Sequence, residues 1–176
     1  MLGLTSHYTG AGHNAYPALP SLYRPPRDFY VRPNDMTQKH PKRIPRPGID
    51  EYGRSALHHA AINGDVDAID LLIKNGSDIN QQDDNGYTAL HFSALKYHHN
   101  IVIKLISLGS DVNLHDIYGN GPLWTAVMNS RGNLTIVTAL LKANANPDHK
   151  NKNNKSPRDM ANAIKNGIDL PFIDLA

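Results

Sequence analysis

Residues 83–115 read DDNGYTALHFSALKYHHNIVIKLISLGSDVNLH, and the chain on either side repeats them. Thirty-three residues upstream, Asp50, Gly53, Leu57, His58, Ala61, Ile69, Leu72, Gly76, Asp78 and Asn80 match Asp83, Gly86, Leu90, His91, Ala94, Val102, Leu105, Gly109, Asp111 and Asn113. A third copy starts at Asp116 and a worn fourth at Asn151. A fixed period of this size identifies a stacked array, in which each unit buries its apolar face only against its neighbours.

The repeat resembles the ankyrin repeat, with GYTALHFSA and LISLGSDVN as the carrying residues, and the likeness runs from Ile49 to Phe172. It implies an all-α ankyrin repeat solenoid of three full repeats plus a degenerate C-terminal capping repeat. An irregular Pro-rich extension precedes it. The domain boundary is accordingly expected between residues 1–48 and 49–176.

Each unit opens on a D-x-x-G turn, at Asp50–Gly53, Asp83–Gly86 and Asp116–Gly119. Asp bonds the backbone ahead of it, and Gly accepts positive φ. Ser55, Thr88, Gly121 and Ser156 then stand at N-cap positions, with Pro122 and Pro157 at the first helical residue. Three residues on come His58, His91, Trp124 and Asp159, the partner position of a capping box. First helices are expected over Ser55–Ile62, Thr88–Leu95 and Pro122–Met128. Second helices carry Val66, Ile69, Leu71 and Leu72, then Ile101, Val102, Leu105 and Ile106, then Ile136, Val137, Leu140 and Leu141. Asp65 and Asn133 are expected to cap two of them, and Gly76, Gly109 and Asn144 to end all three in the left-handed conformation. The third unit is 35 residues long, with two extra residues between its helices, and Tyr97 stands where Gly64 and Gly132 stand elsewhere.

His58 and His91 read as structural, because Trp124, which neither ligates metal nor acts as a base, takes the same place. The remaining histidines show no metal-ligand spacing. There is no phosphate loop, nucleophile elbow or HExxH, and the periodic Asp50, Asp83 and Asp116 mark turns rather than an acid/base pair. No enzyme, cofactor or metal is expected.

In ankyrin proteins the turn tips and the exposed side of the first helices form the contact surface. Position by position, the resemblance makes Tyr52, Arg54, Ile62, Asp84, Tyr87, Leu95, Lys96, Ile117, Tyr118 and Met128 the partner-binding candidates. Ile62, Leu95 and Met128 are equivalent, so stacking aligns them into an apolar ridge, with the three tyrosines expected to fringe it.

The chain has 176 residues, no cysteine and a formal charge of +2. That rules out a disulfide framework, fits a reducing cytoplasm, and gives nucleic acid no support. No apolar run is long enough for a membrane helix and no secretory signal is visible in MLGLTSHYTGAGHNAYPAL. Residues 1–48 hold eight of the twelve prolines and a net charge of +5, against −3 for the rest. The aromatic stretch LYRPPRDFYV is expected either to dock on the first repeat or to serve as an extended linker. Lys39, Lys42, Arg43 and Arg46 read as a solvated basic run.

YGNGPLWTAVMNSRGN and NKNNKSPRDMA resemble small bacterial ankyrin proteins encoded beside secreted antibacterial toxins. There the ankyrin protein is an immunity protein that occludes its cognate toxin. The competing expectations are a general scaffold, adaptor or accessory subunit, and an exported effector that binds host proteins.

Overall fold

The structure is a computed structural model that describes residues 46–130 and 132–163. The expectations for the aromatic extension, and for Lys39, Lys42 and Arg43 of the basic run, fall outside those residues. Among the described residues are seven helices and no strand, only an isolated bridge between Ile49 and Ser55. The helices are α1 (Ala56–Asn63), α2 (Val66–Lys74), α3 (Ala89–Lys96), α4 (His99–Ser107), α5 (Pro122–Asn129), α6 (Thr135–Lys142) and α7 (Pro157–Ala163). First helices α1, α3, α5 and α7 pack in series, as do second helices α2, α4 and α6, and each hairpin joins the rows.

The turns form as their sequence dictates. Asp50 Oδ1 accepts from the amides of Tyr52 and Arg54, Asp83 Oδ1 from Asn85 and Tyr87, and Asp116 Oδ1 from Tyr118 and Asn120, all at 2.8–2.9 Å. Asn151 does the same in the last unit, toward Asn153 and Lys155. Backbone bonds then tie tip to tip, Asp84 N to Tyr52 O at 3.1 Å, Ile117 N to Asn85 O and Lys152 N to Tyr118 O at 2.9 Å.

The repeat histidines are clamps. His58 Nδ1 accepts from the Ser55 amide at 2.9 Å, so Nε2 carries the proton and donates to Gln81 O and Tyr87 O at 3.0 Å. His91 Nδ1 likewise accepts from Thr88, and its Nε2 reaches Asn120 O at 3.1 Å. Each ring thus caps its own helix and holds the next repeat. Burial lowers the pKa of both, His91 to about 4. Trp124 keeps the buried volume but its Nε1 finds no partner among the described residues, and the junction beyond is made by Asn151 Nδ2 to Asn120 Oδ1 at 2.8 Å. In the last unit Ser156 and Asp159 complete the capping box through reciprocal bonds of 2.9 and 3.1 Å.

Leu90, Leu105, Ile69, Ile136 and Leu140 are fully buried between repeats. Leu71 is not: it is 60% exposed, because two residues from Ile69 along a helix is the opposite face. Asp65 caps α2 by accepting from Ala68 at 2.9 Å. The residue at the cap of α6 is Leu134, not Asn133, which stands one position earlier and accepts from the Thr135 amide. Gly76, Gly109 and Asn144 take φ of 86°, 88° and 64° as expected.

Candidate functional site

Ile62, Leu95 and Met128 sit in the last turns of α1, α3 and α5, at equivalent places on adjacent helices. Leu95 is 40% exposed and the other two are half-buried. His98 Nε2 lies 3.0 Å from Ile62 O, fastening the end of α1 to the next unit. The tyrosines stand elsewhere. Tyr87 and Tyr118 precede their helices, so at 1.5 Å per residue they lie roughly 12 Å along the axis from the ridge. The apolar ridge and the turn tips are therefore two patches.

At the tips, several candidates are engaged within the domain. The Arg54 guanidinium lies 4.7 Å from the Tyr52 ring centre and 5.2 Å from that of Phe92, with Nε 3.9 Å from the buried Asp83 carboxylate. Tyr87 packs on His91 and Phe92 at 5.2 and 5.4 Å. Burial, with Asp116 beside its hydroxyl, pushes its pKa well up. Asp84 accepts from Arg46 at 2.9 Å, so one member of the basic run is paired. Ile117 and Tyr118, 45% and 38% exposed, are the open apolar groups of the third tip. Tyr87 follows the glycine of its turn and Tyr118 precedes it, so the two hold different repeat positions; Tyr87 also meets the Phe92 ring, whose counterpart in the third repeat is Thr125.

Tyr97 is the residue the sequence marked without explaining. It holds φ of 61° at the end of α3, where Gly64 and Gly132 adopt 76° and 85°. Its hydroxyl donates to Asn133 O in the lengthened α5–α6 connection. Burial raises its pKa, while backbone hydrogen bonds from Ile136 and Thr135 pull the other way. The phenol thus lies at the head of α6, whose own cap residue offers no side-chain bond. Between these elements opens a depression of about 340 Å³, lined by Leu95, Lys96, Tyr97, Asn129, Ser130 and Asn133. Lys96 is the sole Lys, Arg, Asp or Glu in α1, α3 and α5.

Among the described residues no three His, Asp or Glu side chains stand where they could share a metal ion. No helix among them is long and apolar enough to cross a membrane.

The ladder of Asp turns, histidine clamps and paired helix rows defines a class that the family comparison names. The family model for ankyrin repeats, three copies, matches residues 37–83 and 57–151. The chain belongs to the ankyrin repeat family, which is generally non-catalytic and serves as a module for binding other proteins. No curated protein matches the chain.

Proposed function

We propose that this protein binds and occludes a protein partner through the exposed side of its first-helix row, and that the partner is a cognate antibacterial toxin. The observation carrying the binding face is the alignment of Ile62, Leu95 and Met128, apolar groups left at least partly open on three adjacent helices. Water favours a polar residue there, and a buried partner would remove the cost. Ile117 and Tyr118 give a second anchor on the third tip. Arg54 and Tyr87 act indirectly, by fixing the turns from within. The toxin reading rests on the resemblance of YGNGPLWTAVMNSRGN and NKNNKSPRDMA to immunity proteins, and the absence of cysteine suits action in the cytoplasm.

The test is protection. Cells expressing the toxin encoded beside this gene should survive when the wild-type chain is co-expressed. The double variant Leu95→Glu/Met128→Glu should fail to protect, with its helical circular dichroism unchanged. Full protection by the double variant would move the binding face elsewhere, and no protection by the wild type would remove the immunity reading.

A further inference from the structure

The depression beside Leu95 differs from the rest of the first-helix row in three ways that have one explanation. It carries Lys96, the one Lys, Arg, Asp or Glu in α1, α3 and α5, and among the described residues that ammonium enters no ion pair and faces no lining carboxylate. Its far wall exists because the third repeat is longer, which brings Asn129, Ser130 and Asn133 opposite the end of α3. Its corner is Tyr97, an aromatic residue in a left-handed conformation that is unfavourable for an L-residue. The Tyr97 hydroxyl recovers part of that by bonding Asn133 O across the repeat boundary. A glycine, as in the sister repeats, would relieve the backbone but leave the longer connection unsupported.

We propose that this depression is the specificity subsite of the partner-binding face, and that it takes an acidic loop of the protein partner. A carboxylate sits on Lys96 and a neighbouring aliphatic side chain sits on Leu95. This rests on the reading of the first-helix row as the binding face. Asn133 Oδ1 is held by the Thr135 amide and hydroxyl, which leaves its amide N–H groups to donate to the same carboxylate. Lys96 also lies in the last turn of α3, where a cation suits the helix dipole. That structural role predicts a loss of stability on substitution and no selectivity between ligands. Tyr97 is a positioning residue that preforms the wall.

The experiment titrates the full chain, labelled with nitrogen-15, with two capped peptides, Gly-Leu-Glu-Glu-Leu-Gly and its Lys-for-Glu counterpart. The acidic peptide should shift the amides of Leu95, Lys96, Asn129 and Asn133 in a saturable way, and the basic peptide should not. Lys96→Glu should weaken the acidic peptide by about fivefold or more. Tyr97→Phe, which keeps the ring and drops the hydroxyl, should weaken it less, with the fold unchanged by circular dichroism. Equal shifts from both peptides, shifts on another face, or a Lys96→Glu protein that binds the acidic peptide as well as the wild type would overturn the proposal. In the toxin-protection assay, Ile62→Glu distinguishes the two readings. If it abolishes protection while Lys96→Glu retains it, the subsite fails and the binding face stands. If both variants protect fully, both fail.

Discussion

Acid should unfold this protein through His91 before it titrates most of its carboxylates. The ring is fully buried, accepts a hydrogen bond from the Thr88 amide at Nδ1, and is held neutral with a pKa of about 4. In the unfolded chain a histidine titrates near 6.5. A folded pKa below the unfolded one means the unfolded state takes up protons first. The stabilisation is complete above pH 6.5 and is lost as pH falls toward 4. The difference is worth roughly 3 kcal/mol in all, of which roughly 2 should be gone by pH 5. His58 and His115, both lowered chiefly by burial, act in the same direction. Asp83 and Asp116 act against it, since burial raises their pKa and protonation in the folded state relieves them. The wild type and a His91 variant share both carboxylates, so their contribution cancels when the two proteins are compared between pH 7 and pH 5. Urea unfolding of the wild type and His91→Gln at those two values is the assay. The wild type should lose about 2 kcal/mol more than the variant on acidification, with unchanged denaturant slopes. Equal losses in the two proteins would refute the clamp.

Leu105→Ala should cost ~2–5 kcal/mol in the same assay, since Leu105 is fully buried between repeats. A loss below about half a kcal/mol would contradict its place in the core. Gly109→Ala should cost about 1–2 kcal/mol for its left-handed backbone alone, because a Cβ there meets nothing within 4 Å. Gly86→Ala should cost clearly more, because its Cβ would come within 2.8 Å of Asp116 Cα in the next repeat. Equal thermal shifts for the two would mean the turn tips are not packed as described.

The period, the caps and the helix ends were legible because each depends on a few neighbouring residues. An Asp turn, a Ser or Thr cap and a left-handed Gly announce themselves locally. The two clamps were half legible: the sequence placed His58 and His91 at their caps, but the carbonyls their far nitrogens reach belong to the following repeat. What escaped was settled across repeats. Arg54, a candidate contact residue, is held between the Tyr52 and Phe92 rings, and Tyr87 is drawn inward by the same Phe92. Tyr97 was visible as an oddity, yet its partner at the head of α6 lies 36 residues away. The tyrosines were expected to fringe the ridge, but they stand in the turns ahead of the first helices, a helix length away from Ile62, Leu95 and Met128.

The central claim, a partner seated on the first-helix row, is tested most directly by amide hydrogen exchange of the chain alone and with the proposed toxin partner. Slowed exchange should gather at the C-terminal ends of α1, α3 and α5, the α5–α6 connection and the third turn tip, with α2 and α4 unchanged. Protection confined to α2, α4 and α6, with the first-helix row exchanging as in the free protein, would contradict it.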